Sequence, residues 1–120
     1  MARLIDHEGP IHRSIIIYLR HVLPGSAIIH HSPNEGNRGG VKGARDGVHR
    51  KKMGVMPGFP DIIILVSGVF YALEVKSGKG ALSTAQRSVK KTMECQGVDY
   101  AVVRSIDDTK ATLIEWGIIT

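Results

Sequence analysis

Cysteine is almost missing from this chain: Cys95 stands alone among 120 residues, so no intramolecular disulfide can form. A single thiol suits a reducing compartment, and a cytoplasmic location is expected on that ground. In a predicted helix such a thiol is ordinarily a packing group. No Cys/His spacing suggests structural zinc. Long apolar runs are also missing, and no stretch approaches the roughly 20 residues that a membrane-spanning helix needs. The N-terminus carries Arg3, Asp6, His7 and Glu8 in place of an apolar run, so no signal peptide is expected. Aromatic residues make up only 5%, which disfavours a stacking platform for single strands. There is no P-loop, and Gly36-Asn37-Arg38-Gly39-Gly40 lacks the strand–helix context of a dinucleotide fingerprint.

What is present fits a single domain over residues 1–120, with a hydrophobic fraction of 42% that is ordinary for a globular core. Positive charge is in excess, 16 Lys+Arg against 11 Asp+Glu, for a net +5. The excess is local. Arg38, Lys42, Arg45, Arg50, Lys51 and Lys52 face one acid in their segment, Asp46, and the remaining residues sum to zero. Such a stretch is either a solvated loop or a grip on a polyanion.

Apolar spacing predicts a helix over about 8–22, where Ile11, Ile15, Tyr18, Leu19 and Val22 form one stripe; Pro10 fits its first turn and Pro24-Gly25 ends it. A short strand over 27–31 follows, then a long Gly- and charge-rich loop over 32–52 with one helical turn near 46–52. Strands over 61–66 and 69–76 flank a two-residue turn, Ser67-Gly68. Ser83 or Thr84 caps a helix to about Gln96, with Gly97 as its stop. A strand over 100–104 precedes a last helix capped by Asp107 or Asp108. The order predicts an α/β domain around a mixed sheet.

Within this frame, Asp61 opens one apolar strand while Glu74 and Lys76 close the strand that returns beside it, so two carboxylates and an ammonium converge. Charges at the ends of apolar strands are costly unless paired or bound to something. Two carboxylates with open positions suit Mg²⁺, which can polarise a phosphoryl oxygen and activate water. Lys76 could orient or deprotonate that water or offset transition-state charge. A plain salt bridge between Glu74 and Lys76, with Asp61 capping a turn, is the other reading.

The run Pro60-Asp61 followed by Glu74-Val75-Lys76 resembles the PD-(D/E)xK nuclease signature. More narrowly, the chain resembles the VRR-NUC (virus-type replication-repair nuclease) branch. The likeness extends over Glu8, Ser32-Pro33-Asn34, Gly54 to Asp61, and Leu82-Ser83-Thr84-Ala85-Gln86. The resemblance implies a restriction-endonuclease-like αβββαβ core, a mixed β-sheet flanked by helices, and dependence on Mg²⁺, with Mn²⁺ as substitute. It implies that Asp61, Glu74 and the Val75 carbonyl hold metal, that Lys76 positions water or acts as base, that Glu8 reaches the metal, and that Gln86 points at the site. Small stand-alone members resemble Holliday-junction resolvases and tend to be homodimers, often of phage origin. One departure is His12, which stands where many relatives place Gln; it is expected to be an ordinary half-exposed helix residue.

His30 and His31 adjoin on a strand and point to opposite faces, so they cannot chelate as a pair; His49 lies in the basic stretch. The basic residues from Arg38 to Lys52, together with Lys79, are expected to contact phosphates, with Arg87, Lys90 and Lys91 adding charge nearby. Three functions follow as expectations: a metal-dependent endonuclease on branched DNA such as Holliday junctions or flaps, a nicking or restriction-like nuclease on linear duplex, or a non-catalytic DNA-binding module on a nuclease fold.

Overall fold

A computed structural model describes residues 7–32 and 54–120. The basic stretch from Arg38 to Lys52, His49 within it, the turn expected near 46–52, and Pro33-Asn34 lie outside these described residues.

The described residues form helix α1 (Glu8–Val22), strands β1 (Ile28–His31), β2 (Ile62–Val66) and β3 (Val69–Val75), helix α2 (Thr84–Cys95), strand β4 (Asp99–Val103) and helix α3 (Ile106–Glu115). The strands make one sheet in the order β1-β2-β3-β4. β1–β2 and β2–β3 run antiparallel, while β3–β4 run parallel with α2 as the crossover. This is the mixed sheet flanked by helices that the sequence predicts.

The hairpin between β2 and β3 turns at Ser67 and Gly68, both at positive φ (51° and 79°). Two consecutive positive values are what a two-residue connection needs to follow the twist of its strands, and Gly meets that demand without strain. The turn sets the register Ile62↔Leu73 through Val66↔Val69. It thereby places Asp61, one residue before β2, beside the end of β3.

The core lies on one face of the sheet. Ile15 and Leu19 of α1 and Leu113 of α3 pack with Ile62, Ile64, Leu73, Val75 and Val103, all nearly inaccessible. The stripe on α1 explains its placement: Ile11, Tyr18 and Val22 pack at the rim of this cluster. Burying side chains of this size contributes about 1.5–3 kcal/mol each. Because side chains alternate along a strand, Ala72 and Glu74 face the other way. That second face carries α2, which has no fully buried residue of its own.

Two expectations need correction. The last helix is capped by Ser105, whose Oγ accepts the Asp108 N–H, and not by Asp107 or Asp108. Asp108 instead turns back, and its Oδ2 accepts the Arg104 N–H at 2.9 Å. The hydroxyl is one residue ahead of the first helical position, the place from which it reaches the N3 amide. Cys95 is exposed at the end of α2 rather than packed, because α2 meets the sheet along one side only.

Candidate metal centre

The strand ends meet as the hairpin requires. Asp61 Oδ2 accepts the backbone N–H of Val75 at 2.8 Å, which locks the residue before β2 onto the end of β3. Ser32, at the end of β1, donates its backbone N–H to the Asp61 carbonyl at 2.8 Å. The Asp61 side chain is thus held by one neighbour strand and its main chain by the other.

Among the described residues, Glu74 is the one charged side chain that is buried. It is 2% exposed, a carboxylate in the fully buried class otherwise occupied by apolar groups and Thr109. Its Oε2 accepts from Gln86 Nε2 at 2.9 Å. Lys76 Nζ stands 3.9 Å from the same oxygen, at the outer limit of an ion pair. Its Oε1 is buried with no hydrogen-bond donor. Burial is the main cause that pushes the Glu74 carboxyl up to about 8. The charge of Asp61 and a hydrogen bond with it push the same way, and the Lys76 ammonium offsets only part. The salt-bridge reading of Glu74 and Lys76 therefore explains only part of the site: the charge that acts most strongly on Glu74 is another carboxyl, Asp61.

With both carboxyls charged, such an arrangement is unfavourable unless a cation or a retained proton offsets it. Two carboxyls within hydrogen-bonding reach, one buried and with an oxygen lacking a donor, are a donor set that fits a divalent oxygen-seeking ion. Mg²⁺ is held by one or two carboxylates and keeps several waters, so it does not require a larger protein cage. Among the described residues no group of three His, Cys, Asp or Glu gathers closely enough to hold a metal ion. Glu8, the first residue of α1, is therefore not drawn into a three-residue group with Asp61 and Glu74.

Gln86 arrives at Glu74 through the start of α2. Ser83 is the N-cap: its Oγ accepts the Gln86 N–H at 3.1 Å, and Gln86 Oε1 accepts the Ser83 N–H at 2.8 Å. This reciprocal capping box consumes the amide oxygen of Gln86 and aims its NH₂ at Glu74. The pattern Ser-x-x-Gln carries a capping-box signal that local reading could have used. Gly58 supplies the other constraint. At φ +81° it runs so close to α2 that a Cβ would lie 2.5 Å from Ala85 C and 2.7 Å from Gln86 N. The turn-rich segment before β2 is therefore a wedge that seats the first turn of α2 over the site.

Lys79 is exposed in the loop after β3. Arg104 Nη1 ties that loop by donating to the carbonyls of Gly78 and Gly80 at 2.9 and 2.8 Å. Sequence reasoning missed Arg104, since nothing local links it to a loop 24 residues earlier. His12 is half-exposed, as expected, and its ring meets His31 edge-on at 4.4 Å.

No family model matches the chain, and no curated protein matches it. Solved structures do. One described as "VRR_NUC domain protein" aligns with a TM-score of 0.71 at 20% identity, over 95% of this chain and 90% of that one. Another, "VRR_NUC domain", aligns with a TM-score of 0.61 at 18% identity, over 92% and 97%. At such identities the likeness is one of fold, and it spans nearly the whole of each chain.

Proposed function

We propose that this chain, which has the fold of VRR_NUC domain structures, is a single-domain, Mg²⁺-dependent endodeoxyribonuclease that hydrolyses phosphodiester bonds in branched DNA. One observation carries the reading: Asp61, Lys76 and Gln86, the first and last distant from it in sequence, converge on the buried Glu74 carboxylate, whose charged state the protein alone does not favour.

In this reading Asp61, Glu74 and the Val75 carbonyl hold the metal, with Glu8 contributing through water, and Mn²⁺ substitutes for Mg²⁺. The bound ion supplies Lewis acidity toward a phosphoryl oxygen and a more acidic water. Lys76 orients the attacking water, or takes its proton, and offsets charge that develops on the phosphorus oxygens. Gln86 fixes the orientation of Glu74 and contacts water or phosphate. Lys79 and the basic residues Arg38, Lys42, Arg45, Arg50, Lys51 and Lys52 bind backbone phosphates. Such contacts give affinity that falls steeply with salt and carry no base specificity. Two copies in a homodimer would present two sites, one for each strand of a symmetric junction. Among the described residues no helix is long and apolar enough to cross a membrane, and an intracellular, phage-type setting suits a DNA substrate.

The test is cleavage of an end-labelled panel of linear duplex, single strand, 5′ flap, splayed arm and four-way junction, with Mg²⁺, Mn²⁺ or chelator. Metal-dependent cutting of branched substrates, lost in Asp61→Ala and Lys76→Ala, is the expected result. Preference for linear duplex would redirect the reading to a nicking or restriction-like nuclease. DNA binding without cleavage under every condition would leave a binding module on a nuclease fold.

A further inference from the structure

Tyr100 is buried on β4, and the parallel pairing decides what it meets. Tyr100 stands opposite Ala72 and Val102 opposite Glu74. Paired and alternate residues share a face, so Tyr100 and Glu74 lie diagonally on the face that carries α2. The tyrosine is 8% exposed, and its hydroxyl is buried with no hydrogen-bond partner. Above its ring Lys90 Nζ stands 5.7 Å from the centroid, and Lys90 is itself paired with Glu94 at 3.0 Å.

A buried hydroxyl without a partner costs about 1–3 kcal/mol, and the charges that act on this one are the carboxyls of Glu74, Asp61 and Glu94. Burial first, then the charges of Glu74, Asp61 and Glu94, push the phenol well above its ordinary range, so it stays a donor. Glu74 Oε1 on the same face is a buried acceptor that also lacks a partner. One proton donor and one acceptor, complementary and both unsatisfied, share a single patch of the sheet.

We infer that Tyr100 is a positioning residue of the metal centre: when the site is loaded, its hydroxyl gives its one hydrogen bond to the Glu74 carboxylate, directly or through one water, and fixes the orientation in which that carboxylate meets the ion. This rests on the metal-centre reading proposed above. Partners that hydrogen-bond a ligating carboxylate commonly change metal affinity by about 10–100-fold when removed. The unpaired hydroxyl is then a cost borne by the metal-free fold for the sake of the loaded one.

The experiment measures Mn²⁺ binding to the full chain without DNA, by titration of the free-ion paramagnetic signal, for wild type, Glu74→Gln and Tyr100→Phe. The metal-free Tm is recorded for each. Binding by wild type, loss in Glu74→Gln, and about tenfold weaker binding in Tyr100→Phe with an equal or higher metal-free Tm is the expected pattern. Tyr100→Phe keeps the ring and its place under Lys90, so a folding defect is not expected. Wild-type affinity in Tyr100→Phe, whatever its Tm, overturns the inference and leaves the metal centre standing. Absence of Mn²⁺ binding by wild type overturns the metal centre and the inference with it.

Discussion

Gln86 reaches Glu74 with one end of its amide and Ser83 with the other: Nε2 donates to Glu74 Oε2 at 2.9 Å, and Oε1 accepts the Ser83 N–H at 2.8 Å. One side chain thus both starts helix α2 and orients the buried carboxylate. The two roles separate by mutation. Ser83→Ala and Gln86→Ala each break the capping box and should each cost about 1 kcal/mol of stability. Only Gln86→Ala strips Glu74 of its amide donor, so it alone should weaken Mn²⁺ binding, by about tenfold. Equal losses of metal affinity in the two variants would show that helix integrity, and not the amide, is what matters.

Gly58 sets how close the segment before β2 comes to α2. A Cβ there would lie 2.5–2.7 Å from backbone atoms of Ala85 and Gln86, which cannot rotate away. Gly58→Ala should destabilise by about 1–3 kcal/mol through overpacking, with a further backbone cost of about 1–2 kcal/mol at its positive φ. Gly54 has a similar φ (+95°), but a Cβ at that position would meet nothing within 4 Å among the described residues. Gly54→Ala should therefore show the backbone cost alone. Urea denaturation of both variants checks the difference, and equal effects would remove the close approach as the cause.

Glu74 makes the metal-free fold sensitive to pH. Its folded value, about 8, lies above the reference 4.5, so the folded state holds the proton more tightly than the unfolded chain. The resulting stability is complete below about 4.5 and is lost as pH rises through about 8. In chelator, wild type should lose Tm relative to Glu74→Gln across that window, since glutamine has no proton to release. Divalent metal requires the deprotonated carboxylate, so Mn²⁺ affinity should rise over the same interval. A pH-independent difference between the two proteins would contradict the assignment.

Arg104 carries the loop that presents Lys79. Its Nη1 bridges the Gly78 and Gly80 carbonyls, and Arg104→Ala should release the loop. Affinity for duplex or branched DNA, measured by fluorescence anisotropy, should fall several-fold with Mn²⁺ affinity unchanged. If Arg104 acts through Lys79, the double variant Arg104→Ala/Lys79→Ala should bind no worse than Lys79→Ala alone. Additive losses would give Arg104 a separate role.

Local chemistry made much of this molecule readable in its sequence. The apolar stripe from Ile11 to Val22 carries the bounds of α1, because a period near 3.6 needs no partner to be seen. Ser67-Gly68 implies a tight hairpin, and a hairpin of known length brings Asp61 to the end of the returning strand, where its carboxylate meets the Val75 N–H. Convergence of Asp61, Glu74 and Lys76 followed from turn chemistry and alternation alone. The tertiary structure decided the rest. Tyr100 stands beside Glu74 only because β4 returns parallel to β3 in one register, after a crossover whose docking no local pattern specifies. Gly58 against Ala85 and Arg104 on the Gly78 and Gly80 carbonyls are close approaches between segments 24 or more residues apart. Contacts of this kind are set by how whole elements pack, and a residue's own neighbours in the chain carry no trace of them.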